Sequence, residues 1–371
     1  MKSFNRLFPF VIIGLSFGCT GHDRGFKNES IRDIKYTEIT VDTLDIRLPN
    51  TSFGGHSGVQ GDRIYFLDKY FGHLYLMDVN GKVNDRKMGL GRAANEIPIK
   101  SSLAAAVKND DLLVFGGTYD AYVFKNFGKR KKIDILVSPQ KKSLEDSRAY
   151  TSFSEIVRIN NRDEFFYNIY SEAEFANPAE HDKKYFRDAH ILMKVDLKTG
   201  HARPVGKYSS YYVENYANIK HLFGIVYDID KEDNFYVSYQ TDSLIYMYDE
   251  NFRILRAFGF EGKNMDKAYG RARYGWENFN KTYKEDIETK GYYYWLEHID
   301  ATGHSFRSYR KGQNSGYDGL QIYRDGILVG DVEVPKQFKV CGYIPPYYVT
   351  QIICDEEKES LKLYRFKLEE R

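Results

Sequence analysis

The chain is poor in several residues on which whole classes of protein depend. Three cysteines in 371 residues cannot build a disulfide scaffold, so the fold has to rest on buried apolar surface. Two of them, Cys341 and Cys354, lie in the body of the chain. Nothing around them sets one opposite the other, and whether they bridge stays open at this level. Only nine prolines interrupt the chain, yet no amphipathic helical stretch dominates it. After residue 19 no segment reaches 18 consecutive apolar residues, so no later helix is long enough to span a bilayer. Charge of one sign is also missing: 54 Lys and Arg face 52 Asp and Glu, alternating along the chain except in residues 128–132 (GKRKK), which read as a solvated turn. A nucleic-acid binder needs a basic stripe, so nucleic acid is not expected as a partner. Catalytic signatures are lacking too: beyond the N-terminal apolar run there is no Gly-x-Ser-x-Gly elbow, and there is no His-Glu-x-x-His, no Cys-x-x-Cys and no dinucleotide loop opening a helix. No cofactor is implied.

What the chain has in abundance is aromatic: 32 tyrosines and 25 phenylalanines. Such residues favour strands because they pack well on pleated, half-buried surfaces. Residues 62–83 (DRIYFLDKYFGHLYLMDVNGKV) give a strand, a loop, a second strand, an Asn80-Gly81 turn and a third strand. Comparable units follow in residues 109–134, in 160–203 with an insertion, and in 231–259. Further strands are predicted at 292–296, 305–310, 319–329, 338–344, 347–354 and 361–368. Units centred near 65, 115, 165, 235, 295 and 350 make six, at a spacing that marks propeller blades. One meander cannot bury both of its faces, whereas blades stacked around an axis can. The expected fold is therefore an all-β, six-bladed propeller over residues 35–371. Its leading strand, within residues 36–47 (YTEITVDTLDIR), should close the ring beside 361–368. Residues 264–290 break the strand rhythm and read as a helical or loop-like insertion.

The first residues carry Lys2 and Arg6 ahead of an apolar run from Leu7 to Gly18, the layout of an export signal. Ser16, Phe17 and Gly18 before Cys19 resemble the lipobox of bacterial lipoproteins, relaxed at Phe17. The resemblance implies removal of residues 1–18, lipidation of Cys19, and anchoring in the outer membrane through acyl chains alone. Losing Lys2 and Arg6 leaves the mature chain formally neutral. Residues 19–34, polar and without periodicity, are expected to tether lipid to domain.

Blade-like residues 61–96 carry a second resemblance. A strand ending in Asp68, a second followed by Asp78, a Gly81-Lys82 turn, and then Gly89, Gly91 and Glu96 are similar to the first blade of the TolB-like six-bladed propeller lipoproteins of Bacteroides and relatives. Ala93-Ala94-Asn95-Glu96 stands where that group commonly has Gly-Pro-Gly-Glu. The resemblance implies fold and location and leaves the chemistry open.

Two sets of candidate site residues follow. His56 and His221 occupy similar positions just before strands in different units, and with Glu96, Glu155 or Glu297 they are candidates to converge on the propeller axis, as a metal-assisted or acid–base hydrolase or lyase would need. Asp228, Asp230 and Asp233 lack the glycine and closing glutamate of a calcium loop and read as a polar turn. The second set is aromatic and basic: Tyr211, Tyr212, Tyr269, Arg271, Arg273, Tyr274 and Trp276 are expected on rim loops. Loop Tyr and Trp beside Arg suit a non-catalytic binding or scaffold role toward an envelope protein or glycan.

Overall fold

The strand Arg63–Asp68 (RIYFLD) shows why this chain builds blades. Ile64 and Phe66 point to one side, where they pack with Val349 and Leu363. Tyr65 and Leu67 point to the other, against Leu112 and Val114. The alternation continues one sheet on, where Leu113 and Phe115 leave Leu112 and Val114 behind and pack with Phe165 and Tyr167. A strand whose two faces are both covered has to be apolar at every position, which is why these segments read as runs rather than as clean alternation.

In the computed structural model the described residues are 27–98, 102–116, 120–137, 150, 152, 154–172 and 183–369. The signal-like segment and Cys19 lie outside them. Six sheets surround an axis. Their innermost strands are Gly55–Gln60, Ala104–Lys108, Val157–Ile159, Ile225–Ile229, Tyr292–Ile299 and Val340–Ile344, in blades 1 to 6. Each innermost strand lies beside that of the next blade, and the sixth returns to the first. At this seam a Cβ on Gly342 would fall 2.3 Å from Val59 Cβ, so only glycine allows the two strands to approach. The six-bladed propeller expected from the strand units is the fold.

Three N-terminal strands belong to the ring: β1 (Lys27–Asn28), β2 (Ile31–Tyr36) and β3 (Val41–Ile46). β3 pairs antiparallel with Ser360–Phe366, Ile46 opposite Leu361 and Val41 opposite Phe366, and so supplies the outer strand of blade 6 as expected. β1 and β2 correct the tether reading. β1 lies parallel to Ile254–Phe258 on the outer edge of blade 4, and β2 parallel to Ile327–Val334 on that of blade 5. An outer edge strand offers unpaired N–H and C=O groups, and a polar segment satisfies them through its backbone. No apolar pattern is needed for that.

Two strand boundaries also differ from expectation. Residues 319–329 form parts of two strands, Asp318–Arg324 and Ile327–Val334, because Asp325 and Gly326 both take positive φ (52° and 85°) and close a tight hairpin. Residues 347–354 are interrupted at 351–352, giving Tyr347–Thr350 and Ile353–Asp355. Cys341 and Cys354 are free thiols.

Among the described residues three α-helices punctuate the ring. α1 (Lys183–Asp188) joins the second and third strands of blade 3, α2 (Ser210–Ile219) joins blade 3 to blade 4, and α3 (Trp276–Thr289), the helical half of the insertion, joins blade 4 to blade 5. In an up-and-down meander, second-to-third and blade-to-blade connections fall at the same end of the strands. All three helices therefore share one face of the propeller.

Candidate functional site

The innermost strands enclose a channel of about 790 Å³. Blade 2 contributes Lys108 and the small side chains Ala105 and Ala106, which keep the channel open, while the other charged side chains come from blades 3 to 6. At the centre is Arg158. Its Nη2 donates to Glu297 Oε2 at 2.6 Å, and its Nε lies 2.9 Å from Asp228 Oδ1 without aligning its N–H on that oxygen. The other oxygen of Asp228 accepts the His298 N–H at 2.7 Å. Two cations approach the Trp295 ring, Arg158 at 5.3 Å and Lys339 at 5.5 Å from its centroid, and its indole N–H donates to Val340 O at 2.5 Å.

Burial dominates the titration of this cluster. It pushes the Glu297 carboxyl up to about 8, against the pull of Arg158 and with the help of the Asp228 charge. It pushes the Cys341 thiol well above its usual range and lowers the Lys339 ammonium, which Glu155 partly supports. His56 is also lowered, first by burial. Its Nε2 is 3.1 Å from both the backbone oxygen and the hydroxyl of Ser102.

The five residues expected on the axis are divided. His56, Glu155 and Glu297 line the channel; His221 and Glu96 do not. Glu96 accepts the Ala93 N–H at 2.9 Å and shapes the connection after blade 1. His221 is fully buried under the insertion, its Nε2 2.8 Å from Asp286 Oδ2. The position before a strand lies at the end of the blade, where the helices pack, and not on the axis. Among the described residues no group of three His, Cys, Asp or Glu side chains is placed to hold a metal ion.

The residues expected on the rim divide as well. Tyr212 is fully buried and donates to Leu222 O at 2.5 Å. Tyr211 packs against the core beside it, and Tyr269 donates to Gly291 O at 2.8 Å. Tyr269 thereby ties the insertion to the start of blade 5, while the other two anchor α2. Arg271, Arg273, Tyr274 and Trp276 are exposed, Tyr274 at 72% and Trp276 at 55%. Between them and the end of α2 is a second cavity, of about 600 Å³, lined by Tyr216, Lys220, Arg271, Ala272, Arg273 and Tyr274.

The motif residues of blade 1 are structural. Asp68 is 1% exposed, and its carboxylate accepts the N–H groups of Ser52, Tyr70 and Phe71 at 2.6, 3.0 and 2.7 Å. Asp78 Oδ1 accepts the N–H groups of Asn80 and Lys82, closing the turn. Asp230 plays the same turn role through Glu232 and Asn234. Asp228, read with it as part of that turn, belongs to the channel instead.

Arg158, Trp295 and Lys339 were not singled out in the sequence, and Asp228 was read as a turn residue. A signal for two of them was present: Arg158 in IVRIN and Asp228 in IVYDI are lone charges inside short apolar strands. A charge there must face either solvent or a polar channel.

No protein-family model matches the chain, and no curated protein does. Among solved structures, a member of the DUF4221 family from Bacteroides vulgatus superposes with a TM-score of 0.64 at 13% identity, over 91% of this chain and 100% of that one. Virginiamycin B lyase from Staphylococcus aureus gives 0.44 at 9% identity, over 89% and 100%. At such identities the likeness is one of fold alone.

Proposed function

We propose that this protein is a non-catalytic binding or scaffold lipoprotein of the cell envelope, and that it engages a protein or glycan through the propeller face bearing α1, α2 and α3. The observation that carries this reading is the stretch from Arg271 to Trp276. It puts two guanidiniums and two exposed aromatic rings together on that face, and neither guanidinium has a hydrogen-bond or ion-pair partner among the described residues. Exposed aromatics beside arginine are the composition of contact surfaces.

The lipobox-like segment and the blade-1 resemblance to TolB-like lipoproteins support the location. With lipid at Cys19, residues 19–26 would reach at most about 28 Å when extended, which keeps the outer edge of blade 4 close to the bilayer. The test is cross-linking in intact cells followed by capture of the tagged protein, with Cys19→Ala as the location control. The reading expects a reproducible partner that is lost on combining Arg271→Ala, Arg273→Ala, Tyr274→Ala and Trp276→Ala. A partner retained by that variant would overturn it.

One observation favours a second reading, an acid–base hydrolase or lyase. Glu297 holds its proton up to about 8 in a channel where Asp228 stands nearby, the pairing of a general acid with a second carboxylate. That reading requires turnover of a lactone, peptide or glycan substrate that Glu297→Gln abolishes.

A further inference from the structure

Lys220, Arg271 and Arg273 line one cavity, and no acidic side chain lines it with them. Their side chains have no hydrogen-bond or ion-pair partner among the described residues. Lys220 is the residue after α2, is 7% exposed as a whole residue and lines the cavity, so its hydration is reduced. Burial lowers its proton affinity first, and the like charge of Arg271 lowers it further. A buried cation is ordinarily paired, because losing hydration without gaining a counter-charge is costly. Three cations gathered without an acid leave that counter-charge to be supplied from outside.

The rest of the cavity narrows the ligand. Its volume of about 600 Å³ falls in the range of small-ligand sites. Tyr216 and Tyr274 are its aromatic walls. Just beyond it, the exposed Trp276 ring is stacked on Phe279, with centroids 5.8 Å apart and planes 10° from parallel. A ring held flat in this way is a platform for the C–H face of a pyranose. Guanidiniums offer paired N–H donors that fit a carboxylate, sulfate or phosphate.

We propose that the cavity between the end of α2 and residues 271–274 binds an acidic saccharide, its anionic group held by Lys220, Arg271 and Arg273 and its ring faced by Tyr274. The inference rests on the helix-bearing face being the binding face, and it names the ligand class of that face.

Isothermal titration of the detergent-solubilised full chain tests it with four probes: trigalacturonate, a sulfated heparin disaccharide, the neutral trigalactose and hexaglutamate. Inorganic phosphate serves as a competitor, separating recognition of the anion alone from recognition of anion and sugar together. At least one acidic saccharide should bind about tenfold or more tighter than the neutral one. The exposed double variant Arg271→Gln/Arg273→Gln should lose that margin while melting like the parent. Lys220→Met, which keeps the buried stem, should weaken binding in the same direction. Equal binding of neutral and acidic saccharides, or unchanged binding by the double variant, overturns the proposal. Hexaglutamate binding as tightly as the best saccharide also overturns it and assigns the cavity to acidic peptide. If the cellular partner is still captured through Arg271–Trp276 while no saccharide binds, the binding face stands and only the ligand class falls.

Discussion

His221 Nε2 stands 2.8 Å from Asp286 Oδ2, and the same carboxylate oxygen accepts the Gly270 N–H at 2.7 Å. One oxygen thus fastens three pieces of chain: the entry to blade 4, the loop that opens the insertion, and helix α3. Both side chains are almost wholly buried, so neither can turn to water if the other is removed. His221→Ala should cost about 2–4 kcal/mol, the sum of a lost charge-assisted hydrogen bond and a cavity. Urea unfolding measures the cost. Limited proteolysis should show new cuts within residues 262–290, and an unchanged cleavage pattern would mean the histidine does not hold the insertion.

The titratable groups of the interior predict opposing pH dependences. Burial lowers His56 and His221 below the ordinary 6.5. The unfolded chain therefore takes up these protons first, and their stabilisation is complete above about pH 6.5 and lost as pH falls below it. Glu297 runs the other way. Raised from 4.5 to about 8, it is protonated in the folded chain while already ionised in the unfolded one, so its contribution is complete below 4.5 and lost as pH rises through about 8. Melting temperatures of parent and Glu297→Gln, compared across ~pH 5 to ~pH 8.5, should diverge in favour of the variant as pH rises. A difference that stays flat would place the carboxyl's titration outside that window.

The same physics explains what could be read from the sequence. Blade 1 was legible because its apolar runs are separated by turn residues such as Asn80-Gly81, whose backbone demands are local. Closure by β3 was legible because Val41, Leu44 and Ile46 carry an apolar pattern. β1 and β2 were not, since they pair through main-chain groups that every residue possesses. His221 and His56 looked equivalent because each reads as preceding a strand, yet His56 lies within the innermost strand Gly55–Gln60 while His221 stands before Ile225–Ile229, against α3 some 60 residues further along the chain. Lys220 was hidden for another reason: an isolated charge is commonplace in sequence, and only the packing of residues 271–274 against the end of α2 reveals its cavity.

Arg307 is the largest fully buried side chain, at 0% exposure. Its Nε and Nη2 donate to Gln321 Oε1 at 2.9 and 2.6 Å, and Nη2 also reaches Ser243 O and Phe260 O at 2.8 Å. The guanidinium lies 3.8 Å from the centroid of the Tyr293 ring. It is neutralised by dipoles and a π face rather than by direct contact with a carboxylate, and it stitches blade 5 to the chain leaving blade 4. Arg307→Met fills similar space but takes the guanidinium donors from Gln321 Oε1, Ser243 O and Phe260 O. Tyr323 still donates to Gln321 and Tyr293 to Phe260, whereas Ser243 O loses its side-chain donor, so the change should cost about 2–3 kcal/mol. Arg307→Lys should fall between parent and methionine variant, because one ammonium cannot reach all of these acceptors. If equilibrium unfolding ranks lysine no better than methionine, charge at this position contributes nothing.

The N-terminal strap makes the last prediction. β1 and β2 run along the outer edges of blades 4 and 5 before β3 closes blade 6, so residues 27–46 bind three consecutive blades from outside. Besides its backbone pairing, β2 buries Tyr36 at 6% exposure and sets the Arg32 guanidinium 4.5 Å from the Phe260 ring. A chain beginning at Thr37 keeps β3 and hence the closed ring. It should fold, melt lower by about 5 °C, and self-associate with rising concentration through its two uncovered edges. A chain beginning at Arg47 also loses the outer strand of blade 6, together with Ile46, which is 5% exposed. That second cut removes ring closure itself and should yield aggregated or unfolded protein. Light scattering and thermal melts of the two truncations separate the roles: equal stability of the Thr37 form and the parent would reduce the strap to a passive lead-in, whereas graded loss would make it a belt that holds blades 4 to 6 beneath the helix-bearing face.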